Sequence, residues 1–185
     1  MDVREAIFGR RSIREYTSQT VDDETIHHLI EAAIYAPNAV NHQSWIFTVI
    51  RDQSVLESIS GLAKAHVLTT DLGRDSDLFR SSLTDRDFHI FYRAPVLILI
   101  SAREKGPWIV ENCSLAAENM MLVAHSLGLG TCWIGFAQGY LNTREGKELL
   151  GLPIAAVPVA PVIVGHPKSI PFDVARKVPD VRRIG

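Results

Sequence analysis

The chain has 185 residues, of which 46% are hydrophobic and 22% are charged. This length corresponds to about one domain, and the composition is typical of a globular protein, not of a disordered chain. With 19 basic and 21 acidic residues, the formal net charge is −2. That balance argues against a protein whose main task is to bind nucleic acid or an anionic membrane.

The amino-terminal sequence MDVREAIFGRRSIREY carries acids and arginines where a secretory signal needs an apolar segment. We therefore expect a cytoplasmic protein. The longest uncharged run, residues 119–143, contains four glycines and several polar groups, so it does not resemble a membrane span. Cys113 and Cys132 form no CxxC pair, and their apolar surroundings predict two free buried thiols.

The amino-terminal half predicts three helices and two strands. Asp2 and Glu5 have the spacing of a capping box, which predicts a short helix that Gly9 ends. Residues 10–16 are not helical in pattern, whereas residues 21–37 place apolar side chains on one helix face. The runs 44–50 and 94–102 predict strands buried on both sides. A helix is expected near 54–67, and the charged stretch 70–86 is expected to be a variable helical or loop insertion.

The carboxy-terminal half continues the alternation. Residues 108–127 repeat small and apolar side chains at helical spacing, which predicts a central helix that another helix can approach closely. A short strand is expected at 131–135 after the glycines at 128 and 130. Asn142 and Glu145 predict the cap of a further helix ending at Gly151, and residues 156–164 predict a buried strand. Interleaved helices and strands fit a layered α/β or α+β domain spanning residues 1–185.

The first group of residues that indicates chemistry is Arg10, Ser12 and Arg14. In an extended segment, alternate side chains share one side, so two guanidinium groups and a hydroxyl converge while Arg11 and Ile13 point away. Arginine offers a phosphate paired, charge-assisted hydrogen bonds, so the pattern predicts a phosphate cradle. The alternative is a solvated basic turn that pairs with nearby acids, namely Glu15, Asp22 or Asp23.

The second group lies in APNAVNHQSWIF, between a helix end and a buried strand. Its side chains include Asn38, Asn41, His42 and Gln43. Carboxamides donate and accept hydrogen bonds together, which suits the edge of a planar heterocycle with carbonyls and ring nitrogens. The alternative is an ordinary turn, because asparagine is common where a helix stops.

Several familiar chemistries have no local signature in this chain. There is no GxxxxGK[ST], no GxSxG and no HExxH, and the seven histidines are scattered, so we expect no metal site. No nucleophile, base and orienting acid can be nominated. A bound redox cofactor carries its own reactive atom and asks the protein mainly for binding and orientation. The missing catalytic set therefore favours a cofactor enzyme.

At this point the sequence resembles the nitroreductase family of FMN-dependent oxidoreductases. The resemblance covers nearly the whole chain in order: GRRSIREY, APNAVNHQSWIF, FYRAPVLILI, ENCSLAAENMMLVAHSLGLGTCWIG, LGLP, and PVIVGHP with a basic tail. It implies an α+β fold with a central, mostly antiparallel sheet flanked by helices. It also implies an intertwined homodimer with FMN at the interface.

The implied activity is a ping-pong cycle. NAD(P)H gives a hydride to flavin N5, which is the reactive atom in place of a catalytic side chain. An electron-poor acceptor such as a nitroaromatic or a quinone then takes the electrons. Two alternatives stay open: another flavin reaction on the same fold, namely flavin fragmentation, dehalogenation or azoline oxidation, or a non-catalytic FMN-binding protein.

The resemblance also assigns residues to the cofactor. The FMN phosphate would be held by Arg10, Ser12 and Arg14, with Arg11 contributing through its backbone. Asn41 and Gln43 would face the ribityl chain or the ring edge, with backbone contacts from Asn38 and Ala39. Backbone N–H groups near flavin N5 and O4 would come from Ile134 and Gly135. The late basic phosphate ligand would be Arg176 or Lys177.

Two places differ from the usual family pattern or vary within it. Family members often have PSAGN where this chain has Pro37, Asn38, Ala39, Val40 and Asn41, so a valine stands in place of a glycine near the expected flavin edge. Residues 70–92 lie where relatives vary the helices that roof the substrate pocket. Aromatic side chains there would stack on a substrate, or else pack in the core: Phe88, Phe91 and Tyr92.

Overall fold

The computed structural model describes residues 1–70, 77–172 and 174–185, and a four-stranded sheet forms its centre. The strands are β1 (Trp45–Ile50), β2 (Val96–Ala102), β3 (Gly130–Trp133) and β4 (Val157–Gly165). Their order across the sheet is β1-β2-β4-β3, and each neighbouring pair is antiparallel. The expected α+β architecture around a mostly antiparallel sheet is confirmed.

Seven helices are described. They are α1 (Val3–Gly9), α2 (Asp23–Ile34), α3 (Gln53–Thr69), α4 (Asp77–Thr84), α5 (Ile109–Ser126), α6 (Gly135–Leu141) and α7 (Arg144–Leu149), with a single 3₁₀ turn at Ala39–Asn41. Part of the predicted insertion at 70–86, residues 71–76, lies outside the described residues. Among the described residues, no helix is both long and apolar enough to cross a membrane.

The ends of two helices test the predicted caps. Asp2 accepts a hydrogen bond from the Glu5 N–H while Glu5 accepts one from the Asp2 N–H, so the predicted capping box of α1 is confirmed. The predicted Asn142 cap of α7 is wrong, because Thr143 Oγ1 accepts from the Gly146 N–H at 3.0 Å. Asn142 Nδ2 instead donates to the Pro158 carbonyl at 2.7 Å, which ties the end of α6 to β4.

Both faces of the sheet are covered. Alternate residues of β2 point to opposite sides: Ile98 packs with α2 and α5, and Leu99 packs with α3 and α6. Both side chains are fully buried, and burial of an aliphatic side chain of this size stabilises a fold by about 1.5–3 kcal/mol. Small residues of α5, such as Ala116 and Ala117, are also fully buried, and they allow close helix packing as predicted.

The first strand is less buried than its sequence predicts. β1 lies at the edge of the sheet and pairs only with β2 among the described strands. The Val49 side chain is 38% exposed. The expectation that β1 is buried on both sides is therefore wrong within this chain, whereas the same expectation is confirmed for β2, which is buried along its length.

An extended segment, residues 10–16, continues the sheet beside β3. The Ile13 N–H donates to the Thr131 carbonyl at 2.9 Å, and the Lys168 N–H donates to the Glu15 carbonyl at 2.9 Å. A Cβ at Gly130 would lie 2.7 Å from the Ile13 Cβ. Because real Cβ atoms do not come this close, a glycine at this position allows the segment to dock.

Candidate functional site

The extended segment brings three predicted side chains to one place. Ile13 is 5% exposed and points inward, so its neighbours Ser12 and Arg14 alternate away from the core. Arg10, Ser12 and Arg14 lie near the thiol of Cys132 in β3, where the charges of the two arginines and the Ser12 hydroxyl act to lower its pKa. The three side chains are thus grouped around this thiol, and their contact with a phosphate stays a prediction.

Arg11 turns away from this group, as its place in an extended segment predicts. Its Nη1 donates to the Phe8 carbonyl at 2.7 Å and to the Arg10 carbonyl at 2.8 Å. Cationic donors suit the last carbonyls of a helix, which carry partial negative charge. Arg11 therefore stabilises the end of α1 and fixes the start of the extended segment.

The acids near the segment have other partners. Asp23 pairs with Arg51 at 2.8 Å, Asp22 accepts from the Thr25 N–H at the start of α2, and Glu15 accepts from the Ser169 hydroxyl. The alternative of a solvated turn in which these acids neutralise the arginines does not fit this arrangement.

The resulting cluster has an excess of positive charge. Burial raises the pKa of the Cys132 thiol, and the opposing effects of Arg14, Ser12 and Arg10 are smaller, so the thiol stays neutral. Glu118 on α5 faces Arg10 Nε at 3.5 Å, and its side chain is 46% exposed. The buried Arg10 Nε makes no hydrogen bond to the described residues. Two arginines beside the half-exposed Glu118 carboxylate leave the cluster with net positive charge, so it suits an anion.

Two tyrosines border the cluster. The Arg14 guanidinium lies 5.9 Å from the centre of the Tyr92 ring, and Arg14 opposes the effect of burial on the pKa of the Tyr92 hydroxyl. The Tyr16 hydroxyl donates to the Ile13 carbonyl at 2.7 Å. Burial raises the pKa of both tyrosines above the ordinary value. Both therefore remain neutral near pH 7, where they leave the positive charge of the arginines intact.

The three aromatic residues predicted to line a substrate pocket separate in the structure. Tyr92 lies against Arg14, and Phe88 meets Tyr92 edge-on with ring centres 5.8 Å apart. Phe91 is fully buried in the core on the face of the sheet that α3 and α6 cover. The pocket role expected of Phe91 is therefore wrong, and its alternative, core packing, holds.

The loop at 38–43 is held in an unusual conformation. Val40, Asn41 and Gln43 have φ values of 50°, 53° and 48°, in the left-handed region that side chains other than glycine rarely adopt. The side chain of Val40 is 86% exposed. The backbone thus adopts a glycine-like path at Val40 although a β-branched residue stands there, and strain of this kind is frequent at functional sites.

Hydrogen bonds fix the amide side chains of this loop. The Gln43 Nε2 donates to Asn41 Oδ1 at 2.8 Å, and the Gln43 N–H donates to Asn38 Oδ1 at 2.9 Å. The Ala39 N–H donates to the buried Asn112 Oδ1 at 3.0 Å, which anchors the loop to the first turn of α5. The prediction that Asn38, Asn41 and Gln43 lie together is confirmed.

The loop at 38–43, called here the amide loop, and the arginine cluster contact α5 at different positions along the helix axis. Asn112 and Glu118 are six residues apart, which is about 9 Å along a helix axis at 1.5 Å per residue. Among the hydrogen bonds of the described residues, none joins the loop to Arg10, Ser12 or Arg14. Within one chain, the loop at 38–43 and the arginine cluster are therefore separate features of the surface.

Ile134 and Gly135, which directly follow β3, were predicted to offer backbone N–H groups to a ligand. The Ile134 N–H donates to the Pro161 carbonyl at 2.8 Å, so it is engaged in the sheet, and the ligand contact expected of this N–H does not fit. Gly135 begins α6 and is exposed, with open space where a Cβ would stand. Its N–H contact with a ligand stays a prediction.

Arg176 and Lys177, the predicted late basic ligands, are exposed in the segment 174–185, which forms neither helix nor strand. Their contact with a phosphate stays a prediction. The choice between Arg176 and Lys177 stays open.

Sequence reasoning missed several residues around the site. Phe79 on α4 and Phe136 on α6 meet edge-on with ring centres 5.5 Å apart, next to Gly135. Glu118 and Asn112 on α5 contact the cluster and the loop. The position of Phe136, next to the predicted cofactor residue Gly135, could have indicated from the sequence that Phe136 lies near the site. The contacts of α5 depend on tertiary packing and had no local signal.

A groove of about 350 Å³ lies on another part of the surface, beyond the end of the extended segment. It is lined by Thr17, Ser18, Thr20, Val21, Arg51, Gln53, Arg93, Pro95 and Val96. None of the residues predicted for the cofactor lines it. Arg51 there already pairs with Asp23 at 2.8 Å, so the groove has less free positive charge than the cluster around Arg10 and Arg14.

The fold and the site define a class: an α+β protein whose antiparallel sheet is covered by helices and carries a cationic cradle, formed by Arg10, Ser12 and Arg14, at its edge. Comparison with known proteins names the family. The family model described as the nitroreductase family matches residues 7–166. The chain belongs to the nitroreductase family.

Three similar proteins support this assignment. An NADH dehydrogenase from Thermus thermophilus is 35% identical over 186 residues, which cover 90% of this chain and 87% of that protein. An FMN reductase [NAD(P)H] from Bacillus subtilis is 30% identical over 174 residues, covering 90% and 66%. A crystal structure of a nitroreductase with bound FMN from Bacteroides fragilis is 25% identical, covers 100% of both chains and has a TM-score of 0.86.

Proposed function

We propose that this chain is an FMN-dependent oxidoreductase that transfers electrons from NAD(P)H to nitroaromatic, quinone or similar electron-poor acceptors. The single observation that carries the proposal is the cationic cradle on the extended segment beside β3, where Arg10 lies 3.5 Å from Glu118, Arg14 lies against the Tyr92 ring, and Ser12 lies between them in sequence. The bound FMN of the Bacteroides fragilis structure and the name of the Bacillus subtilis reductase support this cofactor.

The cradle fits the terminal phosphate of FMN in charge and in donor type. A phosphomonoester carries about −1.5 to −2 charges at pH 7, and the cradle sets the two cations of Arg10 and Arg14 beside the half-exposed Glu118 carboxylate. In this proposal Arg10, Ser12 and Arg14 hold the phosphate, and the strained loop at 38–43 presents amides to the rest of the cofactor. When bound, FMN supplies the ability to accept two electrons from NAD(P)H and pass them to an acceptor.

The proposed active unit is a homodimer, with FMN between the two chains. Isolated exposed apolar residues are normal, whereas large apolar patches on a monomer mark interfaces. In this chain, large apolar side chains are exposed on α1, on α5 and along the tail: Val3, Ile7, Phe8, Trp108, Val110, Leu115, Ile170, Phe172, Val174, Val178, Val181 and Ile184. A second copy would also supply the amide loop that one chain places away from its own cradle.

Analytical ultracentrifugation tests the dimer. A sedimentation mass of twice 20.5 kDa is expected at micromolar concentration. A monomer that nevertheless binds FMN tightly contradicts the proposed shared site. Removal of residues 170–185, which include exposed Phe172 and Val178, is expected to weaken the dimer and leave the sheet and its helices folded.

The electron-transfer activity has a two-step test. Under anaerobic conditions, NADH or NADPH is expected to bleach the flavin absorbance of the FMN-loaded protein, and an acceptor added afterwards is expected to restore it. Parallel lines in double-reciprocal plots would support the ping-pong order. A protein that binds FMN but is not reduced by either nucleotide would be a non-catalytic binder, and the proposal would be wrong.

The same assay tests which class of acceptor the reduced protein uses. Reduction by NAD(P)H followed by turnover with nitroaromatics or quinones is the expected result. Turnover restricted to halogenated aromatics, azolines or the flavin itself would instead support one of the other flavin reactions on this fold. The cytoplasmic location expected from the charged amino terminus stays a prediction.

A further inference from the structure

The turn at residues 89–93, called here the Tyr92 turn, is strained where it approaches the cradle. Tyr92 and Arg93 are consecutive residues with φ values of 50° and 53°, and neither is glycine. Such conformations cost free energy and persist only where the surrounding structure holds them. The turn is closed by a hydrogen bond from the Tyr92 N–H to the His89 carbonyl at 2.8 Å.

The body of the protein holds the turn from the side of α3. The His89 Nδ1 accepts from the Phe91 N–H at 3.1 Å, and Ser60 Oγ on α3 accepts from the Ile90 N–H at 3.1 Å. The His89 Nε2 lies 3.3 Å from Glu57 Oε2, also on α3. Phe91 and Ile90 are fully buried. His89, Ile90 and Phe91 therefore anchor the turn to the body of the protein, and the turn presents Tyr92 to Arg14.

That side chain restrains the more exposed of the two cradle arginines. The Tyr92 ring lies 5.9 Å from the Arg14 guanidinium carbon, within the range of a cation–π interaction, and Arg14 acts to lower the pKa of the Tyr92 hydroxyl. The Phe88 ring also packs edge-on with the Tyr92 ring, with ring centres 5.8 Å apart. An arginine loses much side-chain entropy when a ligand fixes it, and a guanidinium already held by an aromatic ring loses less.

We propose that Tyr92 is a positioning residue that holds the Arg14 guanidinium in place for the ligand phosphate. The proposal rests on the proposed function, because it takes FMN as the ligand. Tyr92 acts through Arg14, so it affects recognition of the phosphate and not of the flavin ring. The strained turn then has a role: it carries the ring to a position that an unstrained turn would not reach.

The test compares FMN with riboflavin, which has the same ring and ribityl chain but no phosphate. Dissociation constants for both are measured by titration of the full-length apoprotein. Tyr92→Leu is expected to weaken FMN binding about tenfold and riboflavin binding less than about twofold. Tyr92→Phe keeps the ring and is expected to recover most of the loss. Tyr140→Phe, a hydroxyl deletion beside His66 and away from the cradle, serves as the matched control.

A double-mutant cycle separates positioning from direct contact. In an Arg14→Gln background, Tyr92→Leu is expected to have no further effect on FMN binding, because its partner is gone. Additive losses, equal weakening of FMN and riboflavin, or an unchanged FMN affinity would each overturn the proposal. If the leucine variant does not fold, the cycle is repeated with Tyr92→Phe, for which a loss of about twofold to threefold that vanishes in the Arg14→Gln background is expected.

The outcome also separates this proposal from the proposed function. A wild-type protein that does not bind FMN would refute the proposed function, and the positioning role would fall with it. A wild-type protein that binds FMN, with variants at Tyr92 that keep the full preference for FMN over riboflavin, would refute the positioning role alone.

Discussion

Removal of both cradle arginines is expected to abolish FMN binding at micromolar concentrations while leaving the chain folded. Arg10 and Arg14 are the two cations of the cradle whose charges act on the Cys132 thiol. The double variant Arg10→Ala/Arg14→Ala therefore deletes the charge on which recognition of the phosphate depends. Ser12 remains as a neutral donor in the variant.

The magnitude follows from the burial of the two side chains. A hydrogen bond to a charged group contributes about 1.5–3 kcal/mol. Arg10 is 23% exposed, so its contribution belongs near the upper end of that range, and the exposed Arg14 belongs near the lower end. The loss is then about 4–5 kcal/mol, which corresponds to a dissociation constant roughly a thousandfold or more higher.

The assay is a titration of apoprotein with FMN, followed by quenching of flavin fluorescence, with circular dichroism as the check on folding. The control is Arg144→Ala, which removes an arginine from an exposed pair with Glu148 on α7, and it should bind FMN like the wild type. Loss of Arg10 removes one contact with half-exposed Glu118 and should cost little stability. Wild-type affinity in the double variant would refute the phosphate assignment.

Three further predictions concern stability. Val40→Gly is expected to raise the free energy of unfolding by about 1 kcal/mol, because glycine adopts φ = 50° without the strain of a β-branched side chain; urea denaturation checks this, and a destabilised variant would contradict it. Gly130→Ala should lower the free energy of unfolding by about 1–3 kcal/mol and weaken FMN binding, because its Cβ would meet Ile13 at 2.7 Å, whereas Gly61→Ala in α3 meets open space and should stabilise the protein by about 0.5–1 kcal/mol. Burial lowers the pKa of His89 below its ordinary value of about 6.5, so burial of the neutral side chain stabilises the fold above that pH. This stability should be lost as the pH falls from about 6.5 through the lower pKa of His89 in the folded protein. His89→Asn, which keeps an acceptor for the Phe91 N–H, should show a flatter dependence of unfolding free energy on pH, and an unchanged slope would contradict the assignment.

The sequence predicted those parts of the fold that depend on local signals. Short local patterns indicated three elements: the capping box of α1, the amphipathic face of α2 and the apolar run of β2. The cap of α7 was misplaced because Asn142 and Thr143 are adjacent and both suit a cap, and a tertiary bond from Asn142 to Pro158 decides between them. The edge position of β1 depends on strand order, and an apolar run does not specify strand order.

The site shows the same difference between features with a local sequence signal and features that depend on tertiary packing. Alternation along an extended segment was enough to place Arg10, Ser12 and Arg14 on one side, and clustering in sequence was enough to bring Asn38, Asn41 and Gln43 together. Glu118 and Tyr92 reach the cradle from α5 and from a strained turn, more than seventy positions away along the chain. The Ile134 N–H was misassigned because its bond to Pro161 depends on the register between β3 and β4.

The most direct test of the central claim is the ratio of FMN to riboflavin affinity for the wild-type apoprotein. The two arginines of the cradle predict one FMN bound per chain and a preference for FMN over riboflavin of at least about a hundredfold, since two charge-assisted contacts depend on the phosphate. Equal affinities, or no binding of FMN, would contradict the claim that this cradle holds the cofactor phosphate.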